Sequence, residues 1–359
     1  MVVRVVHWGT GNTGRPGLRG IIDHPDLELV GLYVHSADKR GRDAGELAGV
    51  GPVGVAATSD IDALLALGAD CLAYFGEGTA RPREVVEDCC RFLTAGTNVV
   101  TTSLNQLVYP KTAPAQLRDP LEEACRVGAT SFFNNGADPG FANDVVALVM
   151  LSFVDRVDGV RVQELYNYAA YDQPYVMTDL FGFGQPLDYA VPLFTSGWMS
   201  DSWAGVVRLI ADEIGAELDE IREISEVAPA PEAIDIAVGR IDKGTIGAIR
   251  FEVQGLVDGR PVVAIEHVTR VHDDAGASWA RSRDGGDSYR IIVEGRPRVD
   301  CEFTLSCDSD EYGGLVATAA RVVNAIPRVC AAPPGLLSTL DIPLSPSRNI
   351  GFRTGAPRR

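Results

Sequence analysis

The strongest structural signal in this sequence is a glycine-rich turn near its start. Val2–Trp8 is apolar on both faces, which is typical of a parallel strand covered by helices on each side. It runs directly into Gly9–Gly14, and apolar residues at helical spacing follow. A second apolar strand is predicted over Leu27–Val34. A strand, a G-x-G-x-x-G turn and a helix within about 30 residues predict the first βαβ unit of a dinucleotide-binding sheet.

Each glycine of this turn has a physical role in holding a pyrophosphate. Gly9 makes the tight turn, Gly11 lets the phosphates approach the backbone, and Gly14 lets the helix lie close to the strand. The helix N-terminus then offers N–H groups and the positive end of its dipole to the phosphates.

The end of the second strand bears on the choice between the two nicotinamide cofactors. An NAD site usually carries an acid there, but positions 34–36 contain none. Ser36, Lys39 and Arg40 follow and suit a 2′-phosphate, so NADP(H) is favoured and NAD(H) stays possible. Asp38 argues against this preference. Lys39 and Arg40 are also consistent with an ordinary solvated loop.

Strands and helices keep alternating through the first half of the chain. Strands are predicted over 70–75, 98–103 and 130–134, and helices over 82–95 and 114–127. This rhythm implies a parallel sheet with right-handed crossovers, in which ligands bind at the carboxyl ends of the strands. The loops 75–79, 101–110 and 134–141 are therefore expected to surround the cofactor and its substrate.

The second half of the chain has a different pattern. Around Phe251 and Phe303 apolar and polar residues alternate with period 2, which predicts a largely antiparallel sheet with one covered face and outward polar side chains. Asp258–Gly259 predicts a hairpin turn.

The fold class is therefore α/β, a Rossmann-type doubly wound parallel sheet plus an α+β domain with a largely antiparallel sheet. The predicted domains are 1–143 for the dinucleotide, 144–310 for substrate and dimerisation, and 311–359 for a helix and tail that return to the first domain.

One aromatic stretch separates the predicted strand 160–170 from a helix near 202–214. Residues 171–199 hold several Tyr, Trp and Phe residues together with Gly and Pro. Long loops of this kind inside a compact domain are usually functional. Two interpretations stay open here, a lid over a pocket and a contact between subunits.

Composition excludes several classes of protein. The 32 basic and 49 acidic residues give a net charge of −17, which argues against binding nucleic acid or an anionic membrane. No apolar run approaches the roughly 18 residues that span a bilayer, and no secretory signal is recognisable. The seven cysteines have irregular spacing without a C-x-x-C pair, and the histidines form no metal-ligand motif. We expect a cytoplasmic protein with reduced cysteines and no metal.

Several segments together resemble one family. They are Gly9–Gly14, the Ser36/Lys39/Asp43 stretch, Ser103–Pro110, the turn Asp138–Phe141 and the late helix Ala319–Pro327. The combination is similar to the dihydrodipicolinate reductase-like oxidoreductases, in the branch of the 2,4-diaminopentanoate and native amine dehydrogenases. The resemblance implies a homodimer that interconverts an amine with a ketone or aldehyde plus ammonia, using NAD(P)(H).

The sequence departs from this family at one functional position. The family carries a glutamate pair in the loop after the fifth strand, where this chain has Asn105 and Gln106. An amide holds ammonia or an iminium by hydrogen bonds but takes no proton near neutral pH. Tyr168 and His267 are the remaining candidates for proton donation, although His267 also suits a core position on its strand. The alternatives are an imine or carbonyl reductase that uses no ammonia, and a non-catalytic NADP(H)-binding regulatory protein.

The candidate residues fall into two groups by role. The catalytic candidates are Asn105, Gln106, Tyr168 and His267. The cofactor-binding candidates are Gly9, Thr10, Gly11, Asn12, Thr13, Gly14, Ser36, Lys39, Arg40, Gly136 and Phe141.

Overall fold

The computed structural model describes residues 2–195, 197–307 and 312–350 of the chain. Its strands, in chain order, are β1 Val3–Trp8, β2 Leu27–Tyr33, β3 Ala57–Thr58, β4 Cys71–Tyr74, β5 Asn98–Thr101, β6 Ser131–Asn134, β7 Arg156–Asn167, β8 Glu220–Pro229, β9 Ile234–Ile236, β10 Gly239–Ile241, β11 Ile246–Val257, β12 Arg260–Arg270, β13 Ser288–Arg296, β14 Val299–Thr304 and β15 Gly335–Leu337. Its α-helices are α1 Gly14–Asp23, α2 Ala44–Ala48, α3 Ile61–Leu65, α4 Pro82–Thr94, α5 Ala115–Gly128, α6 Val145–Leu151, α7 Trp198–Glu213 and α8 Gly313–Val329.

The described residues divide into two compact units. Unit 1 comprises the residues up to Asp138 together with those from Gly313 onward, and unit 2 runs from Pro139 to Tyr312. The predicted tail, 354–359, lies outside the described residues.

Unit 1 is built on a seven-stranded sheet in the order β15-β6-β5-β4-β1-β2-β3. Every pair of neighbouring strands in it is parallel, as the alternating pattern of the sequence predicts. The carboxyl ends of β1, β4, β5 and β6 therefore lie along one edge, and the loops that follow them meet there.

Helix α8 closes unit 1 on the side of α1. Its apolar stripe includes Val322 and Ile326, both fully buried, and Val323 packs against Gly20 of α1. Strand β15 follows and pairs with β6 in parallel, which no pattern in the sequence predicted. The last part of the described chain thus completes the sheet that the first part begins.

Unit 2 contains a six-stranded sheet in the order β14-β13-β7-β12-β11-β8. Its neighbours are antiparallel except for the parallel pair of β7 and β12, so the largely antiparallel prediction is confirmed. Asp258 and Gly259 form the predicted turn between β11 and β12, with φ of 51° and 71°. Two successive positive φ values are those of a type I′ turn, for which this dipeptide is well suited.

The polar face of this sheet differs from the prediction of outward, solvated side chains. Glu252 and Gln254 of β11 and Glu266 of β12 are all buried. Arg161 forms ion pairs with both Glu252 and Glu266, and Arg250 forms one with Glu266 at 2.7 Å. The long arginine side chains cover the glutamates, and this explains their burial. Alternation correctly assigned these residues to one face, but it did not predict their burial.

None of the helices in the described ranges has the length and apolar character needed to cross a bilayer.

Candidate active site

The turn between β1 and α1 has the backbone geometry expected of a phosphate cradle. Gly9 has a φ of 98°, and a Cβ there would lie 2.9 Å from the carbonyl oxygen of Phe75. A Cβ at Gly14 would clash with the carbonyl of Gly9. Around Gly11, in contrast, no heavy atom lies within 4 Å of the Cβ position among the described residues. Gly9 and Gly14 are thus required by the fold, whereas the space above Gly11 is open to a ligand.

The N-terminus of α1 has features of an anion-binding site. The Thr13 side chain makes no capping hydrogen bond with any described residue, and no acidic residue stands in the first turn of the helix. Gly11 and Asn12, which precede the helix, are exposed. Uncapped N–H groups at a helix N-terminus carry partial positive charge and bind phosphate oxygens.

His7, at the end of β1, supports this turn from beneath. Its Nε2 lies 2.7 Å from the carbonyl oxygen of Gly9, and its ring stacks on Phe75. Since a carbonyl only accepts, Nε2 carries the proton and Nδ1 is the bare nitrogen. Burial lowers the pKa of His7 to about 4, so the ring is neutral at physiological pH. His7 therefore positions the glycine-rich turn as a hydrogen-bond donor without charge.

The loop after β2 brings a cation to the same turn. Residues Ala37–Lys39 form a single helical turn, and Lys39 Nζ donates to the Thr10 hydroxyl at 3.0 Å. Ser36 precedes this turn and is exposed. Arg40 is also exposed, and its guanidinium lies 3.5 Å from the carbonyl oxygen of His35. The structure thus brings Lys39 to the glycine-rich turn, while Arg40 lies on the outer side of the loop.

The loops after β4, β5 and β6 are tied to one another. The Ser103 hydroxyl donates to the carbonyl of Gly76 at 2.6 Å, and the N–H of Leu104 donates to Asn134 Oδ1 at 2.9 Å. Asn105 and Gln106 follow Leu104 on a short helical turn and are half-buried. The two amides are therefore held on a rigid loop at the carboxyl edge of the sheet, where amide groups can bind polar ligand atoms.

Arg321 of α8 holds the loop after β6. Its Nε donates to Asn135 Oδ1 at 2.9 Å, Nη2 donates to the Thr339 hydroxyl at 3.1 Å, and its guanidinium lies over the Phe133 ring. Gly136 comes directly after Asn135. Helix α8 thus stabilises the backbone that presents Gly136 at the edge of the sheet.

Unit 2 contains a buried carboxylate. Glu164 of β7 is 7% exposed, and its two oxygens accept hydrogen bonds from Tyr168 at 3.0 Å and from Tyr289 at 2.8 Å. Burial, followed by the charge of Glu164, raises the pKa of Tyr168 well above its usual range. The Tyr168 hydroxyl therefore stays protonated and donates to the carboxylate.

Aromatic rings surround this carboxylate. Tyr166, Tyr168, Tyr171 and Tyr312 contact one another with ring centroids 4.9–6.1 Å apart. Phe181 stacks on Tyr168 at 6.1 Å. Tyr171 and Phe181 belong to the aromatic stretch 171–199, so part of that stretch packs at this site. We call Glu164 and these rings the tyrosine box.

His267 lies on β12 directly opposite Glu164 of β7. Its ring is stacked on Phe251 at 4.5 Å and contacts Trp203 of α7 at 4.6 Å. A ring nitrogen of His267 and a carboxylate oxygen of Glu164 lie within 4.8 Å of each other. The structure therefore brings His267 and Tyr168 together around Glu164, which was not among the predicted residues.

Arg161 and Phe141 have other positions. Arg161 lies on the face of β7 opposite to that of Glu164 and binds Glu266. Phe141 is the third residue of unit 2 and is 37% exposed.

Three residues at these sites were not recognised from the sequence, namely His7, Glu164 and Arg321. His7 and Arg321 carried a weak signal, since each is a polar residue within a mostly apolar part of a predicted strand or helix. Glu164 carried no such signal, because it follows Gln163 in a strand of mixed polarity. Buried polar residues are costly unless they are hydrogen-bonded, so such interruptions indicate a specific partner.

Taken together, the parallel sheet, the glycine turn and the second sheet domain define a two-domain oxidoreductase of the Rossmann type. The family model of the 2,4-diaminopentanoate dehydrogenase C-terminal domain matches residues 144–354. The chain is 41% identical to an amine dehydrogenase of Streptomyces virginiae over 96% of its own length and 98% of that protein. It is 22% identical to the 2,4-diaminopentanoate dehydrogenase of Acetoanaerobium sticklandii, covering 72% of this chain and 70% of that one.

A solved structure shares the fold. The amine dehydrogenase of Mycobacterium smegmatis superposes with a TM-score of 0.79 at 20% identity, over 97% of this chain and 98% of that one. The chain belongs to the family of the amine and 2,4-diaminopentanoate dehydrogenases, and the resemblance stated from its sequence motifs is confirmed.

Proposed function

We propose that the protein is an NADP(H)-dependent amine dehydrogenase that interconverts a small primary amine with a ketone or aldehyde plus ammonia. The observation that carries this proposal is the near full-length similarity to an amine dehydrogenase, combined with an open glycine turn of dinucleotide-binding geometry. When bound, the nicotinamide supplies the acceptor or donor of the hydride.

The residues of the first turn fit a dinucleotide. The N–H groups at the start of α1 and the open space above Gly11 would hold the pyrophosphate. Lys39, at the same turn, would bind a 2′-phosphate, which supports NADP(H) over NAD(H). Ser36 and Arg40 flank Lys39 on this loop and would add a hydroxyl and a second cation. Thr10, Asn12 and Thr13 would line the turn, and Gly136 would contact the nicotinamide end of the cofactor.

Asn105 and Gln106 would orient the substrate nitrogen. Their side chains make no hydrogen bond to any other residue in the described ranges, so their donors and acceptors remain available to a ligand. An amide can donate to or accept from an amine, an aminol or a carbonyl, and this ambivalence suits a nitrogen that changes its protonation during the reaction. Neither amide can take the proton that an ammonium must lose before hydride leaves its carbon.

The direct experiment is to follow oxidation of NADPH at 340 nm with a panel of small ketones and aldehydes in ammonium buffer. We expect turnover that depends on both the carbonyl compound and ammonia. Equal turnover without ammonia would favour a carbonyl reductase. Turnover with preformed imines alone would favour an imine reductase. Binding of NADPH without turnover of any of these compounds would instead support a regulatory dinucleotide-binding protein.

We also propose that the protein is a cytoplasmic homodimer. The family resemblance supports the dimer, and so do Tyr175 and Leu187, two apolar side chains of the aromatic stretch that are 54% and 45% exposed. Light scattering should give twice the chain mass of 38.3 kDa. A monomer at micromolar concentration would contradict this assembly.

A further inference from the structure

Unit 2 contains a cavity at the ends of β7 and β12. Asn167 of β7 and Arg270 of β12 line it and are paired with each other, on the face of the sheet opposite Glu164 of the tyrosine box. The cavity has a volume of about 140 Å³, which is room for about ten water-sized groups. The charged residues that line it are Arg270, Arg281, Asp273 and Asp287. We propose that this cavity binds a small α-amino acid as a zwitterion, with its carboxylate at the two arginines and its ammonium at the two aspartates.

Arg270 is a buried cation without an acidic partner. It is 6% exposed, and its guanidinium forms no ion pair within 4.0 Å in the described ranges. Its Nε donates to the carbonyl of Ala275 at 2.8 Å and its Nη2 to that of Ala280 at 2.9 Å, and Nη1 has no acceptor in the part of the chain that the structure describes. Carbonyl groups thus hold the guanidinium in place without neutralising it. A buried charge is costly unless an opposite charge binds beside it.

A second cation, Arg281, acts on Arg270. Burial and then the charge of Arg281 lower the pKa of Arg270 to about 10, so Arg270 stays protonated at neutral pH. The backbone that carries Arg281 is fixed to the sheet, since Arg290 Nη2 donates to the carbonyl of Arg281 and the N–H of Arg283 donates to Glu302 Oε1 at 2.9 Å. Two guanidinium groups on a fixed backbone suit a carboxylate, which arginine binds through parallel hydrogen bonds.

Two aspartates line the same cavity, and Asn167 holds both of them. The N–H of Asn167 donates to Asp287 Oδ1 at 2.7 Å, and its side-chain amide donates to Asp273 Oδ1 at 2.9 Å. Burial raises the pKa of Asp287, and the charge of Asp273 acts in the same direction because like charges repel. An ammonium group beside the two carboxylates would relieve this repulsion.

The cations and the anions of the cavity do not neutralise one another directly. Among the residues described, neither arginine lies within 4.0 Å of a carboxylate oxygen of Asp273 or Asp287, and Arg281 approaches only Asp274, at 3.9 Å. The arginines would attract a simple anion, but the aspartates would repel it. A zwitterion satisfies both like-charged pairs, and this favours an α-amino acid over a simple carboxylate.

The test is isothermal titration calorimetry of the full chain with L-alanine, without cofactor. We expect saturable binding of L-alanine. Propionate has the carboxylate but no ammonium group and should bind at least about tenfold more weakly, in line with the loss of a charged hydrogen bond. Propionate that binds as tightly as L-alanine would overturn the zwitterion assignment. So would the absence of L-alanine binding at millimolar concentration.

Two variants each remove one charge from the cavity. Arg281→Gln and Asp273→Asn should each weaken L-alanine binding at least about tenfold. Both should keep the wild-type Tm, because the Arg281 side chain is 41% exposed and asparagine at 273 retains an oxygen that accepts from Asn167. The matched controls are Arg298→Gln and Asp235→Asn, which remove the same charges from exposed positions outside the cavity and should leave binding unchanged. Wild-type affinity for L-alanine in both cavity variants would overturn the site.

This site goes beyond the proposed amine dehydrogenase activity and fails independently of it. Turnover of amines by a protein that does not bind L-alanine would retain the proposed function and refute the site. Binding of L-alanine that depends on Arg281 and Asp273, in a protein that oxidises no amine, would retain the site and refute the proposed function.

Discussion

Substitutions in the glycine turn separate the requirements of the fold from those of the cofactor. Gly11 lies outside the left-handed region and has open space at its Cβ position, whereas Gly14 has the carbonyl of Gly9 there. Without cofactor, Gly11→Ala should therefore stabilise unit 1 by about 0.4–1 kcal/mol, because the unfolded chain loses freedom. Gly14→Ala should destabilise it by about 1–3 kcal/mol, because the backbone must move.

With cofactor, a large side chain at Gly11 is expected to cost most of the stability that the wild type gains from binding. At a concentration of NADPH 100 times its Kd, wild type gains about 2.7 kcal/mol of stability. Gly11→Val places a branched side chain where the pyrophosphate would lie, and a 100-fold loss of affinity leaves a gain of only about 0.4 kcal/mol. For a unit of this size the shift in Tm should fall from roughly 5–10 °C to about 1 °C.

The assay is differential scanning calorimetry of wild type, Gly11→Ala, Gly11→Val and Gly14→Ala, each with and without NADPH. Gly11→Val is expected to unfold near the wild-type temperature when no cofactor is present, which shows that its defect is in binding. A Gly11→Val protein that keeps the full NADPH-induced shift would refute the placement of the pyrophosphate. So would a Gly11→Ala protein that is as unstable as Gly14→Ala.

Three further substitutions test other parts of unit 1. Lys39→Ala should raise the KM for NADPH about 10–100-fold and leave the KM for NADH unchanged. Substitution of the exposed Arg42 by alanine is the control. An equal rise in KM for both cofactors would contradict binding of the 2′-phosphate by Lys39. The pKa of His7 is about 4 in the folded state against 6.5 unfolded, so the unfolded chain binds the extra proton between these values. The free energy of unfolding should therefore fall by roughly 3 kcal/mol as the pH drops through this window. Urea titrations of His7→Phe at several pH values should not show this fall. If the free energy of unfolding of His7→Phe depended on pH as that of wild type does, the buried neutral ring would be contradicted. Arg321→Ala removes the hydrogen bond from Nε to Asn135 Oδ1 and should lower the free energy of unfolding by about 2 kcal/mol in urea. A loss below about 0.5 kcal/mol would show that the loop after β6 does not depend on this bond.

Much of unit 1 could be predicted because its signals are local. The strand before Gly9, the glycine spacing and the helix after Gly14 lie within one short segment, and each follows from residue preferences that neighbours along the chain decide. The hairpin at Asp258–Gly259 is local in the same sense, since two adjacent residues specify its turn.

Strand β15 and the buried face of the second sheet could not be predicted in this way. Gly335–Leu337 is only three residues long and becomes a strand because β6 offers a free edge about 200 residues earlier in the chain. Glu252 and Glu266 stand at positions that alternation predicts to be solvated. They are buried because Arg161 and Arg250, on the same face of the sheet, form ion pairs with them. Periodicity identifies the face on which a side chain stands, but not what covers it.

By itself, the amino-acid sequence determined the class of fold, the glycine-rich turn after the first strand and the family, because all three depend on short motifs with defined spacing. Only the tertiary structure decided the surroundings of Glu164. Tyr289 lies 125 residues away from it in the chain, and Tyr168 comes directly after the end of its own strand. Aromatic rings from distant segments enclose this carboxylate, and that proximity is a property of the sheet pairing rather than of any one segment.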